Sequence, residues 1–456
     1  MMRFQGLELE GSSATVVDMP QGLDKPAHRK RGIMAVGSAA VLAASFLLGT
    51  APAAQSAQDD DEAAGDAATS ESTYPAPGQP RTPDPSGDPE VTTSEKNDDD
   101  VRVATLHADL TADPVGDVGD PLESFVDSLS EDGNHEQART VAQTVQINQP
   151  DVLVLTGVSY DDDGEVAEAL RSYLARGQYG QTGIDYPHVF TAGTNSGVDS
   201  GADLDGDGSV GGPGDAIGHG DYPGEHGMIV FSKYPIIEDE VRTFQHFLWR
   251  DMPDSSMPED RYSELEESIF RLAQTTVWDV PVEVEGDSHL HVVATSAAAP
   301  EDPTEVDIAR AEDTMRLMTD YVSGDAWYIY DDEGETGGLP YGSDAVVVGT
   351  PLIPGVDSST LTTHHGVQDP QPEALTEVPL ETRPGGEDAT DETATRYIEA
   401  GEDQRASFVL PTTGLEVTDS AVFWPGEGEY GYRVVNPESE YALSDRLVWA
   451  DLSLED

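Results

Sequence analysis

No cysteine occurs in the 456 residues, so a disulfide framework, a thiolate metal site and a cysteine-borne lipid are all excluded. Lysine is nearly as scarce: Lys25, Lys30, Lys96 and Lys233 are the full set, and just one lies beyond residue 100. With 89 acidic against 23 basic residues, the formal net charge is -66. Nucleic-acid affinity is drawn largely from Lys/Arg–phosphate contacts, so this field repels a polyanion and nucleic acid is not expected as a partner. The acidity fits adaptation to salt, where a carboxylate shell stays hydrated and its field is screened over a few Å. The chain also lacks a Gly-x-Ser-x-Gly elbow and a phosphate-cradling P-loop, so nucleophilic acyl transfer and P-loop nucleotide chemistry have no motif to rest on.

What is present begins with the basic cluster His28-Arg29-Lys30-Arg31. An apolar run from Gly32 to Gly49 follows, then small residues around Ala51-Pro52-Ala53-Ala54. This is an export signal, or an uncleaved membrane anchor of near-minimal length, within an N-terminal extension of residues 1–54. It predicts a secreted or envelope-associated protein that meets a membrane through this segment alone, if it is retained. Residues 55–100 are Asp, Glu, Ser, Thr, Pro and Ala with little to bury, and are expected to form a disordered acidic linker. A globular domain is expected over 101–456.

Within that domain strand and helix patterns alternate. Val101 to Leu106 reads as a strand, and Ala138 to Asn148 as a helix capped by Asn134. Val152 to Leu155 and Met228 to Phe231 read as buried strands, with a proline stopping the latter at a sheet edge. Ser263 to Glu266 is a capping box, Val277 to Val284 and His289 to Thr295 alternate, Thr304 to Val322 is a long helix, and Ala345 to Val348 is a buried strand. Three more strands are expected at the C-terminus. A loop-rich acidic insertion near 355–404 carries few apolar residues and no structure is assigned to it. The class is mixed α and β.

The clearest ligand-type motif is Asp203-Leu204-Asp205-Gly206-Asp207-Gly208-Ser209. Carboxylates two residues apart on a glycine-rich turn can converge on one hard cation, which suits Ca²⁺. Gly214 stands where an EF-hand has its bidentate Glu, and Asp215 follows. The expected structural Ca²⁺ set is therefore Asp203, Asp205, Asp207, Ser209 and Asp215. His289-x-His291 and His364-His365 have no third partner at metal-ligand spacing and are expected to be solvated. Asp161-Asp162-Asp163 reads as the charged start of a helix near Glu165.

The segment Gly227-Met228-Ile229-Val230-Phe231-Ser232-Lys233-Tyr234-Pro235-Ile236, with further blocks at 138–155, 185–190, 203–216, 242–253, 278–282, 328–334 and 422–425, resembles the endonuclease/exonuclease/phosphatase family, in a secreted bacterial branch. The resemblance implies a DNase I-like α/β fold, a four-layer sandwich of two packed β-sheets flanked by helices. It also implies metal-dependent phosphoester hydrolysis, with a Glu and an Asn holding a divalent ion and a His oriented by an Asp activating water. The chain departs from that pattern at each position. His107 stands where the family has Asn, Gly157 for the metal-binding Glu, Ser296 for the His of Ser-His-Pro, and Thr350 at the Asp-x-Asn turn. Ser407 replaces an Asp, and Asp445 either replaces the last His or marks its deletion.

A general base is worth roughly 10²–10⁴ in rate and a metal several kcal/mol of charge stabilisation. Losing both leaves no evident hydrolytic route, and catalytic Mg²⁺ is not expected. The expectation is a pseudoenzyme that binds an unidentified ligand or envelope partner. The alternative is an active phosphoesterase or nuclease with a site rebuilt from His107, Asp109 and Asp445.

Overall fold

The computed structural model describes residues 94–114, 121–130, 133–284, 288–298, 300, 303–324, 326–351, 353, 366–376, 378–384, 386, 392–397 and 404–454. Residues 1–93, which hold the expected export signal and most of the expected linker, lie outside the described residues, as do His364 and His365. Among the described residues no helix is long and apolar enough to cross a membrane.

The strands are β1 (Asp100–Leu110), β2 (Val152–Val158), β3 (His188–Phe190), β4 (Gly227–Ser232), β5 (Arg242–Thr243), β6 (Val277–Glu283) and β7 (His289–Ser296). They continue with β8 (Ala345–Thr350), β9 (Glu373–Ala374), β10 (Phe408–Pro411), β11 (Glu416–Val422) and β12 (Val448–Ser453). The helices among the described residues are α1 (Pro121–Ser130), α2 (Glu136–Asn148), α3 (Glu165–Ala175), the single turn α4 (Glu264–Glu267), α5 (Glu305–Ser323) and a second single turn, α6 (Tyr432–Val435). They build a seven-stranded sheet in the order β3-β4-β2-β1-β12-β11-β9 and a five-stranded sheet in the order β10-β8-β7-β6-β5.

Alternation along the strands explains why two sheets stack. Val101, Val103, Val152 and Val154 join Val280, Val292, Val346 and Val348 in one core between the sheets. Their neighbours Ala104, Leu106, Leu153 and Leu155 point the other way, against α1, α2 and α3. On the outer face of the second sheet, Val293 and Val347 pack with Met315, Met318 and Val322 of α5. The result is the four-layer α/β sandwich: helices, sheet, sheet, helix and loops. Both faces of β2, β4 and β8 are covered, which is why these strands read as continuous apolar runs.

Local signals mostly place the elements. Ser263 and Glu266 close a capping box, Thr304 and Asp307 close another at the head of α5, and Asp161 accepts the backbone N–H groups of Glu165 and Val166 at 2.8 and 2.9 Å. Four expectations need correction. The cap of α2 is His135, whose Nδ1 accepts from Ala138 N at 3.3 Å, not Asn134. β4 is not a sheet edge, because the short β3 covers it. The domain takes in residues from Ser94 rather than 101: Lys96 and Lys233 both pair with Asp151, at 3.2 and 3.0 Å, and Arg102 forks onto Asp451 at 2.7 Å beneath them.

The fourth concerns the segment near 355–404. Its described parts are folded: β9 extends the first sheet, and Thr395 and Ala394 are 0% and 2% exposed. Buried arginines stand in for apolar side chains here. Arg446 lies over Trp424 and donates to Ala394 O at 3.1 Å, Arg383 donates to Val378 O at 2.8 Å, and Arg405 forks onto Asp369 at 2.7 Å.

Candidate functional site

Parallel β1 and β2 and antiparallel β12 set His107, Thr156 and Asp445 at one end of the first sheet; β7, β8 and β10 set Ser296, Thr350 and Ser407 at the same end of the second. A hydrogen-bonded chain crosses between them. His107 Nδ1 meets Thr156 Oγ1 at 3.2 Å, Thr156 Oγ1 donates to Thr350 Oγ1 at 2.9 Å, and Thr350 and Ser407 hydroxyls lie 2.9 Å apart. Ser296 pairs in register with Thr350 and is 3% exposed. The positions singled out from the sequence therefore converge, although they span more than 300 residues of chain.

Their chemistry differs from a metal site. Gly157 has φ +65°, and a Cβ added there would stand 2.6 Å from His107 Nε2 and 2.8 Å from Nδ1. The imidazole occupies the volume that a carboxylate side chain at 157 would need. Two acids are buried at this end among the described residues: Asp445, both of whose oxygens face Arg396 Nε at 3.1 and 3.3 Å, and Glu225, which accepts from Asp221 N at 2.6 Å and stands 4.0 Å from His226 Nε2. Among the described residues the positions named by the resemblance do not fit its divalent ion, because Gly157 offers no ligand and Asp445 is held by Arg396. Of the three residues of a rebuilt site, His107 bonds Thr156, Asp445 bonds Arg396 and Asp109 is exposed at φ 50°, while both acids act on the imidazole through their charge.

Burial, only partly offset by Asp445 and reinforced by Arg396, holds the His107 imidazole below its ordinary pKa. His226, at the start of β4, is pushed down to about 4 by burial and by His107 and His219 nearby. These imidazoles are neutral at pH 7, so the cleft lacks the cationic histidine that would hold a phosphate.

Thr395 and Arg396, in the described part of the insertion to which no structure was assigned from the sequence, contact the strand ends. Thr395 Oγ1 accepts the N–H groups of Ala406 and Ser407, both at 2.9 Å, and Arg396 bridges to both Gln404 and Asp445. Sequence reasoning missed Arg396, Thr395 and His226. The one available signal was that arginine is scarce here, and an isolated Arg in an acidic stretch is a candidate for a buried pair.

The acidic loop gathers three of its five expected ligands. One carboxylate oxygen from each of Asp203, Asp205 and Asp215 lies within 4.8 Å of the others. Asp215 is 2% exposed and accepts from Leu204 N, Asp205 N and Gly211 N at 2.7, 3.3 and 2.8 Å. Asp207 and Ser209 stand outside the triad; Asp207 Oδ1 accepts Ser209 N at 2.7 Å instead.

His291 is not solvated as expected. Its Nδ1 lies 3.0 Å from both oxygens of Asp279, which also accepts from Tyr321 at 2.7 Å. Asn195, polar but fully buried, accepts from Arg271 at 2.6 Å and donates to Gln245 O and Ala273 O at 2.9 Å, so it holds the loop.

A family model described as "Endonuclease/Exonuclease/phosphatase family" matches residues 124–445. Similar solved structures include an endonuclease/exonuclease/phosphatase from Beutenbergia cavernae DSM 12333, at 17% identity over 78% of this chain and 72% of that one, TM-score 0.41. One from Bacteroides vulgatus is 16% identical over 78% and 99%, TM-score 0.39. The human Nocturnin catalytic domain is 11% identical over 78% and 93%, TM-score 0.40. A search of curated proteins finds no match.

Proposed function

The chain belongs to the endonuclease/exonuclease/phosphatase family, and from that premise we propose that it is an exported, catalytically inactive member retained as a binding or structural module. The carrying observation is the replacement chemistry of the cleft. Hydroxyls, a neutral imidazole and a glycine stand at the strand ends, and Asp445 is paired with Arg396. Without a metal carboxylate and a free base, neither water activation nor charge stabilisation at phosphorus has a group to perform it.

Purified full-length protein should release no phosphate or nitrophenol from nucleic acid, nucleotides or bis(p-nitrophenyl) phosphate with Mg²⁺, Mn²⁺ or Ca²⁺. Hydrolysis that EDTA abolishes would overturn this reading in favour of a rebuilt site. Export is supported by the basic-then-apolar N-terminus; recovery of the protein solely from the cytoplasm would contradict it.

The acidic loop is read as a structural Ca²⁺ site. Three hard oxygen donors from Asp203, Asp205 and Asp215 suit that ion, and it would pin the loop between β3 and β4. Ca²⁺ at a hundred times its Kd should stabilise the fold by about 2.7 kcal/mol. An unchanged melting temperature and no titration heat would remove the site. The likeness in family carries no nucleic-acid partner over, given the net charge of -66.

A further inference from the structure

Behind the end of β7, two polar atoms lie buried with nothing to bond. Ser296 and Gln274 are each 3% exposed, and among the described residues Ser296 Oγ and Gln274 Oε1 have no hydrogen-bond partner in the protein. The remaining groups of both residues are engaged: Ser296 O accepts from Thr275 Oγ1 at 2.5 Å, and Gln274 Nε2 reaches Asp307 Oδ1 at 3.5 Å. A buried hydroxyl and a buried amide oxygen are costly when left unpaired, and native proteins rarely leave them so.

The two residues line one cavity of about 10 Å³, together with Thr295, Ala311, Thr314 and Pro351. That is about the volume of a single 1.4 Å sphere, room for one water and for nothing larger. A small cavity lined by apolar groups stays dry, whereas one with two to four polar partners holds a water. The hydrogen-bond accounting also calls for a water. Gln274 Oε1 can only accept, and the Ser296 hydroxyl has a proton to give. One water takes that proton in a hydrogen bond and donates one of its own to Gln274 Oε1. Thr314 Oγ1 is the acceptor for its second proton, since the Thr314 hydroxyl donates to Arg310 O at 2.8 Å and keeps its lone pairs.

We propose that this cavity is a binding site for one structural water, held by Ser296, Gln274 and Thr314. It joins the end of β7, the segment that leads into β6, and α5, at the strand end where the family resemblance has a His. Ser296 also pairs in register with Thr350, so the water backs the row of hydroxyls that crosses between the sheets.

A high-resolution crystal structure of the full-length protein should show one spherical peak about 2.7–3.0 Å from both Ser296 Oγ and Gln274 Oε1. In solution, water ¹⁷O relaxation dispersion should count one long-lived water fewer in Ser296→Val, whose added methyl fills the cavity. Ser296→Ala should raise the unfolding equilibrium constant on the order of tenfold, because the water loses a partner. Ser296→Val/Gln274→Met removes both orphan atoms with the water, and should cost less than the two single effects combined. A direct Ser296–Gln274 contact within about 3.2 Å, a cavity without density, or a peak at about 2.4 Å from the oxygens, which marks a cation, overturns the site. An unchanged count of long-lived waters in Ser296→Val does the same. If that variant does not fold, the wild-type density decides alone.

Discussion

Replacing Gly157 by alanine tests the packing of the strand end at which the family resemblance places a metal-binding Glu. Two costs can be assigned to the substitution. The residue sits at φ +65°, and an L-side chain in that left-handed region costs about 1–2 kcal/mol. Its Cβ would also stand 2.6 Å from His107 Nε2, forcing the ring or the strand end to move, which is an overpacking cost of about 1–3 kcal/mol. The expected loss is therefore about 2–5 kcal/mol, read as a lowered urea midpoint at unchanged m. The two parts separate in a double-mutant cycle with His107→Ala. Removing the ring abolishes the collision but not the backbone strain, so the double variant should be more stable than the sum of the singles by about 1–3 kcal/mol. Additivity within about 0.5 kcal/mol would refute the claim that the imidazole and the missing side chain compete for one volume. Gly157→Glu, which restores the family's carboxylate on paper, should be destabilised in the same way and should not gain Mg²⁺-dependent hydrolysis.

Acid should loosen the cleft. His226 has a folded-state pKa of about 4, depressed below the unfolded value, so the folded protein binds fewer protons; this contribution is full above about pH 6.5 and is lost as pH falls from there towards 4. With its side chain still 28% exposed, about 1–3 kcal/mol is at stake, and His226→Gln should flatten that limb of a stability–pH curve. His291 acts in the opposite sense. Burial works against its charged form, but the Asp279 hydrogen bond and charge win and raise its pKa, so its contribution is full below about pH 6.5 and is lost as pH rises through the folded value; His291→Gln should remove that alkaline-side loss. Stability should rise with added KCl as screening shortens from about 10 Å at 0.1 M to about 3 Å at 1 M; a falling melting temperature over that range would contradict the reading of the acidic shell. Arg310, 4% exposed, donates to the carbonyls of Leu272, Ile217, Arg271 and Ala273, so Arg310→Met should cost at least about 3 kcal/mol in denaturation by removing this donor from the first three, while Ala273 O keeps Asn195.

Strands with one consistent apolar pattern were legible because burial on both faces leaves a mark in composition: β2, β4 and β8 read as runs of Val, Ile and Leu. Caps were legible where a side chain bonds its own turn, as at Ser263 and Thr304. At α2 the cap passed to His135, one residue beyond Asn134, because an imidazole nitrogen can do what an amide oxygen does. His291 gave no signal in the sequence because its partner Asp279 sits on the neighbouring strand, and cross-strand pairing is a property of register. The insertion was illegible for a related reason. Its interior is held by arginines bonded to backbone carbonyls and carboxylates, so an apolar count finds nothing to bury.

For the cleft, the missing cysteines, the scarcity of lysine and the substitutions at His107, Gly157, Ser296, Thr350, Ser407 and Asp445 are facts of the sequence alone, and they bound what chemistry the chain can attempt. What fills the cleft was decided by tertiary structure. Only the stacking of two sheets brings Thr156 within 2.9 Å of Thr350, and only the folded insertion sets Arg396 on Asp445, because both contacts join residues that are far apart in sequence and are placed by packing.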